Sequence, residues 1–459
     1  VFERMHLEKF GNRIPQLNFE VFRAVDNFEK SVRALTILPG SGEFVYATEE
    51  YRRYINASWP DIGTGVYSAT ATENVHTRRG NTDWKVSMDD MENSFENLTN
   101  VSLIVAWFGT DLRCANCAIL PGVENRQKST TPAQWAVAGY NRSNAHLIST
   151  HESNAAYGGT PSDATVIAAI QDLKARGLGV TFYPFIMMDI PHGNSLPNPY
   201  AASGNGQAVY PWRGRITLSK APGIAGSPDK TAAAATEINT FVAQFRTFIL
   251  HYANLCAAAG GVDAFLIGTE MRGMTTLRSA TSTYPFVTAL KTLAADVKAI
   301  LPAAKITYGA DWSEYFGHNP GDGSGDFHFH LDPLWSDANV SAIGIDCYWP
   351  LADWRQGTGH VDKLAGFKSI YEFAYLKGNI QGGEGYDWYY ASQNHRDSQT
   401  RTPITDGLGK PWVWRYKDIK GWWTNQHYNR PGGVESGSPT AWVPQSKPFW
   451  FTEIGCPAI

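Results

Sequence analysis

The chain has no run of about eighteen apolar residues, and no charged start followed by a short apolar stretch. The sequence therefore shows neither a membrane span nor a signal peptide. Cysteine is scarce: five in 459 residues, an odd number thinly spread, which argues against a disulfide framework and for assembly in a reducing compartment. Charge of one sign is also lacking. Lys and Arg total 39 against 43 Asp and Glu, for a net charge of −4 with no block of like charges, so nothing invites a nucleic acid or an anionic membrane. No internal repeat and no low-complexity tract is present, and no phosphate loop or ligand cluster asks for a cofactor. The chain opens at Val1 in mid-pattern and stops shortly after Glu453, which reads as a segment of a longer polypeptide.

Aromatic residues, by contrast, are plentiful. The 16 Trp and 21 Tyr exceed what an ordinary core needs and suit surfaces that stack on flat apolar faces such as those of sugar rings, although packed loops can also use Trp as filler.

The chain divides by pattern into three stretches. Residues 1–27 hold an alternating run, Leu17 to Phe22, after a Gly/Pro turn, and read as the end of a preceding β domain. Residues 28–100 are mixed and polar, with a short strand pattern at Ala34 and a helix near 87–98, and read as a connector. From 101 onward, apolar runs alternate with helical stretches. That rhythm predicts an α/β fold with a parallel sheet, specifically a (β/α)8 barrel. Strands are expected at 101–108, 133–138, 179–186, 262–269, 305–310, 341–347 and 449–452, and helices at 162–176, 232–259 and 285–300. The eighth strand is expected beyond the C-terminus or from elsewhere. Insertions at about 189–231 and 350–445 are too long for plain connections and are expected to be functional.

Two glutamates stand at the ends of apolar runs, Glu270 after Ala264 to Thr269 and Glu453 after Phe449 to Thr452. A parallel barrel gathers its strand ends around one mouth, so the two can meet there. A facing carboxylate pair can cleave a glycosidic bond, with one carboxyl kept protonated to serve the leaving oxygen and the other ionised to attack. A separation of roughly 5 to 5.5 Å gives retention, and about 6.5 to 9.5 Å gives inversion. The plainer alternative is that each is a structural ion-pair partner. Other strand ends offer Trp107, Asp189, Asp311, Trp312, Asp346, Tyr348 and Trp349 as sugar-binding candidates. Arg272 stands two residues past Glu270, where it could tune a carboxylate or cap a helix.

Metal ligation finds only weak signals. Cys114 and Cys117 have half a zinc spacing with no second pair, and read as structural thiols. His328 and His330 share one face of an extended segment, where a loop of hydrogen-bonded histidines is the plainer reading. Asp322 to Asp326 lacks the distal Glu of a calcium loop. No metal is assigned.

Counted in order, Glu270 closes strand four and Glu453 closes strand seven. In this the sequence resembles the clan of retaining (β/α)8 glycoside hydrolases, which implies Glu270 as acid/base in FLIGTEMRG and Glu453 as nucleophile in FWFTEIG. It departs from that pattern at Thr269, where the clan usually has an Asn that binds the sugar 2-hydroxyl. The segments AWFGTDLRC, YGGTPSDA, GLGVTFYPFIMMDIP, YPWRGRIT, GADWSEY, FHLDPLW, IGIDCYWP, GGEGYDWYYAS and KPFWFTEIGCPA resemble one family more closely. This is the TIM-barrel-like domain of the tail-tip hub protein of gene transfer agents and siphophages, with FGNRIPQLNFEV similar to the hub domain preceding it. The resemblance implies a homotrimeric baseplate hub among other tail-tip proteins. It would be assembled in the bacterial cytoplasm, and its barrel would act on host envelope polysaccharide or peptidoglycan. A hub whose barrel binds glycan or neighbours without turnover is the alternative.

Overall fold

The structure, a computed structural model, describes residues 28–40, 42–54 and 69–455. The expected end of a preceding β domain at 1–27 lies outside them. Seven parallel strands pair in chain order: β1 (Ala34–Ile37), β2 (Asn100–Gly109), β3 (Gly179–Met188), β4 (Ala264–Thr269), β5 (Lys305–Asp311), β6 (Ile343–Cys347) and β7 (Phe449–Ile454). They make a nearly closed barrel, unpaired between β7 and β1 among the described residues.

Side-chain alternation sorts each strand into two faces. On β2, Val101, Leu103, Val105 and Trp107 pack outward under the helices, whereas Ile104 meets Tyr183 and Leu266 inside the barrel. The helices present matching stripes. In α3 (Ala232–Ala258) Ile238, Phe241, Phe245, Phe248, Ile249 and Tyr252 recur at intervals of three and four and are fully or almost fully buried. In chain order α1 (Asp83–Ser94) precedes β2, α2 (Asp163–Ala175) precedes β3, the short α4 (Arg272–Thr275) follows β4, and α5 (Pro285–Ile300) precedes β5, opened by Pro285 where a missing N–H costs nothing. No helix among the described residues is long and apolar enough to cross a membrane.

The strand expected at 133–138 is corrected. Trp135 and Val137 are buried in alternation as a strand's would be, but the segment finds no ladder and turns back at Ala138 and Gly139, both at positive φ. Trp135 instead anchors a loop, its Nε1 donating to the Thr160 carbonyl at 2.7 Å. The first barrel strand is β1, inside the stretch read as connector, so Glu270 still follows the fourth strand and Glu453 lies at the end of the seventh.

Both of those strands carry an extra residue just before the glutamate. Leu266 pairs with Thr307 and Thr269 with Gly309, so β4 advances three residues while β5 advances two. Ile345 pairs with Phe451 and Asp346 with Glu453, so β7 gains one on β6. A bulge reverses which face the next side chain takes, and bulges concentrate at barrel rims for that reason. In β4 the bulge passes through Gly268 at φ +148°, where a Cβ would lie 2.9 Å from the Phe245 ring.

Candidate functional site

Glu270, Asp346 and Glu453 each place a carboxylate oxygen within 4.8 Å of the others at the barrel mouth. Glu270 sits at φ +49°, a left-handed conformation that costs a non-glycine residue about 1 to 3 kcal/mol and tends to occur where function requires it. Its backbone is held by its own N–H to the Gly309 carbonyl at 2.7 Å and by the next N–H to Tyr308 Oη at 2.7 Å. Its side chain is almost buried. The Trp212 indole donates to Glu270 Oε2 at 2.6 Å and the Arg213 guanidinium stands 2.9 Å from the same oxygen. Burial raises the Glu270 pKa above its ordinary value, and the nearby charges of Glu453 and Asp311 push the same way, against Arg213 and Trp212, which lower it.

Glu453 is less enclosed. Tyr348 Oη donates to its Oε2 at 2.5 Å, which holds the carboxylate in place at the barrel mouth. Beneath the pair lies Asp346, fully buried inside the barrel. It accepts from Tyr183 at 2.8 and 2.9 Å, from Thr269 Oγ1 at 2.5 Å and from Thr452 Oγ1 at 2.6 Å. Burial, then the neighbouring charges of Glu453 and Glu270, pushes its pKa up to about 7. Gly309 makes room for this layer, since a Cβ there would lie 2.9 Å from Tyr183 Oη. The three carboxylates are the one group of described residues gathered closely enough to hold a cation. A guanidinium already faces Glu270, and hydroxyls fill the shell of Asp346.

The remaining expected site residues divide. Trp107 is corrected: its strand parity turns it outward, where it packs on Phe248 and Tyr252 and donates to Tyr252 Oη at 3.0 Å. Asp189 has no free oxygen for a sugar. His146 Nε2 at 2.6 Å and the Ser149 N–H and Oγ occupy it, and against its burial these bonds hold its pKa below the ordinary value. Trp349 is buried, edge-on to Phe451. Asp311 accepts from the Ser313 N–H and Oγ, and Trp312 packs on Tyr416 at a centroid distance of 4.7 Å. Arg272 is exposed, in a cleft beside the pair rather than on it.

Four residues of this region escape sequence reasoning. Trp212 and Arg213 lie in the 189–231 insertion, in a motif that points to no strand end. Tyr183 looks like one more aromatic in a strand, and only its inward parity marks it. Glu314, buried and pushed up to about 8 by that burial, accepts from Tyr308 at 2.9 Å and Thr275 at 2.6 Å behind the Glu270 turn.

The thiols of Cys114 and Cys117 are buried and pushed up to about 12 and about 11. The histidine reading is corrected. His318 and His328 exchange both backbone hydrogen bonds across an antiparallel bridge, so their side chains and that of His330, two residues on, share one face. Among the described residues no group hydrogen-bonds the ring nitrogens of His328 or His330. Burial lowers the pKa of all three, that of His330 to about 3, helped by their mutual repulsion and by Arg272 and Arg278, while Asp326 opposes it at His328. The fold therefore holds them neutral where the unfolded chain, with His near 6.5, takes up protons. Stability is fully present above pH ~6.5 and falls as pH drops toward the folded values. Between pH 7.5 and 4.5 His330 alone is expected to remove about 2 to 3 kcal/mol, read as a urea midpoint that falls less in His330→Asn than in wild type.

Residues 243–459 match the family model described as the GTA TIM-barrel-like domain. No curated protein matches the chain. Among solved structures it is similar to a GH113 β-1,4-mannanase in two structures, one a complex. Identities are 15% and 16%, each covers 59% of this chain and 58% of that chain, and each has a TM-score of 0.32. A third is the GH113 β-mannanase AaManA from Alicyclobacillus acidocaldarius in complex with ManMIm, at 14% identity, 55% and 52% coverage and a TM-score of 0.28. The chain thus spans just over half the length of the mannanases it matches.

Proposed function

We propose that this chain, which carries a GTA TIM-barrel-like domain over residues 243–459, is the sugar-cleaving part of a tail-tip hub. It cleaves an envelope glycan by a retaining, two-glutamate mechanism. The observation that supports this most is that a carboxylate oxygen of Glu270 and one of Glu453 lie within 4.8 Å of each other at the barrel mouth, an approach suited to direct attack. Glu270, raised by burial, gives its proton to the glycosidic oxygen as Glu453, ionised and held by Tyr348, attacks the anomeric carbon. The bond to the leaving sugar breaks and a glycosyl ester forms on Glu453. Glu270, now a carboxylate beside Arg213, takes a proton from water, whose oxygen displaces Glu453 and returns both groups to their starting states.

Thr269 fits this reading as a support residue. Its hydroxyl is spent on Asp346, so it does not replace an asparagine that contacts substrate. The hub location, a homotrimeric state and contact with other tail-tip proteins are part of the same proposal. A second reading, a glycan-binding hub without turnover, is favoured by the Arg213 to Glu270 ion pair, which stabilises the carboxylate over the acid.

Arg213→Met separates the two. Removing the cation raises the Glu270 pKa further, so the alkaline limb of kcat/KM should move up by about 1 to 3 pH units. An unmoved limb contradicts the assignment of Glu270 as the acid. Complete absence of hydrolysis of bacterial envelope glycan by the wild-type chain favours the second reading.

A further inference from the structure

Beside Glu270 lies a cleft of about 350 Å³ whose walls include Tyr200, Trp212, Arg215, Arg272, His318 and Asn319. No acidic side chain lines it. Trp212 joins it to the carboxylate pair: the indole N–H is on Glu270, while the ring lies over Gly214 and is 36% exposed. Whatever stacks on that ring is therefore next to the proposed acid. The floor is fixed by close backbone contact. At Gly273 a Cβ would fall 2.3 Å from the Ile216 carbonyl oxygen and 2.6 Å from that of Gly214, so the turn carrying Arg272 presses directly on the segment carrying Arg215.

Neither Arg215 nor Arg272 forms an ion pair among the described residues. Arg215 lies over the Tyr200 ring with its Cζ 4.6 Å from the centroid, a contact that does not neutralise its charge. Both cations act on Tyr200, and Arg272 also helps keep His318 neutral, so their fields overlap inside the cleft. Two guanidiniums without an acidic partner in one cleft, that of Arg215 laid over Tyr200, suit a planar oxyanion, because the guanidinium fork matches carboxylate geometry.

We propose that this cleft is a subsite for a carboxylate-bearing sugar, bound by Arg215 and Arg272 with its ring against Trp212, so that the glycan cut by the neighbouring pair is anionic. The position of the subsite rests on the hydrolase reading above, and its binding chemistry does not. The carboxylate could belong to a uronic acid or to the lactyl ether of peptidoglycan, and the probes separate these.

The test is calorimetric titration of the full chain, with Glu270→Gln in every arm to prevent turnover. Three probes are used: tetragalacturonate, peptide-stripped peptidoglycan strands and neutral chitohexaose. One acidic probe should bind at least tenfold more tightly than chitohexaose, more weakly as salt rises, and Arg215→Gln with Arg272→Gln should abolish the preference. The double Lys variant, which keeps the charge, should retain part of it and guards against misfolding as the cause. Equal binding of acidic and neutral probes, an undiminished preference in the Gln variant, or no binding of any probe overturns the proposal. Acidic preference without hydrolysis by the wild-type chain leaves the subsite standing and removes the turnover reading; hydrolysis without acidic preference does the reverse.

Discussion

Glu270→Gln is expected to slow hydrolysis of an envelope glycan by about 10² to 10⁴, the range that a positioned acid or base contributes. The amide oxygen of Gln can still accept from Trp212 and Arg213, so the strand end should keep its shape and the urea midpoint should hardly move. The deficit should nearly vanish on an aryl glycoside whose leaving group needs no proton. Glu453→Gln, which removes the attacking oxygen, should be inactive on both substrates. That contrast follows from the two environments: Glu270 is enclosed, with its pKa raised by burial, whereas Glu453 is open and held by Tyr348. Equal loss on both substrates for both variants would leave the roles unassigned by chemistry and contradict the account.

Arg278→Met is expected to cost about 3 to 5 kcal/mol of stability, the range for removing one partner of a buried ion pair. The Arg278 side chain is 2% exposed and reaches Asp229 at 2.7 Å and Asp322 at 3.3 Å. Asp229, with its side chain 6% exposed, would be left buried without its cation. The three segments so tied are the end of the first insertion, the stretch before α5 and the loop after β5, which frame the cleft beside Glu270. Methionine keeps the volume of the stem, so the loss reports charge rather than packing. A urea midpoint within error of wild type would show that these loops are held by other contacts.

How far the fold was legible depends on which signal carried it. Apolar runs over β3 to β6 and the stripes of α2, α3 and α5 were readable because each is long and periodic. β1 is four residues with half its side chains exposed, and it becomes a strand only through its register with β2, from Ala34 on Asn100 to Ile37 on Leu103. The 133–138 segment has strand-like burial without a ladder. The two errors cancelled, which left Glu270 and Glu453 counted as fourth and seventh.

Strand-end position brings Glu270, Glu453, Asp346 and Tyr348 together, but Asp346, read as a sugar-binding candidate, is fully buried with its oxygens taken by Tyr183, Thr269 and Thr452. It misread Trp107, because end position says nothing of which face a residue takes. It missed Trp212 and Arg213, which reach Glu270 from a loop with no periodicity. The one-residue bulges that aim the two glutamates are likewise set by pairing partners, which no local pattern encodes.

The most direct measurement is the anomeric configuration of the first product released from a bacterial envelope glycan, followed by proton NMR before mutarotation. With carboxylate oxygens of Glu270 and Glu453 within 4.8 Å, the account predicts retention, with release lost in Glu453→Gln. An inverted product, or release by Glu453→Gln equal to wild type, would contradict it.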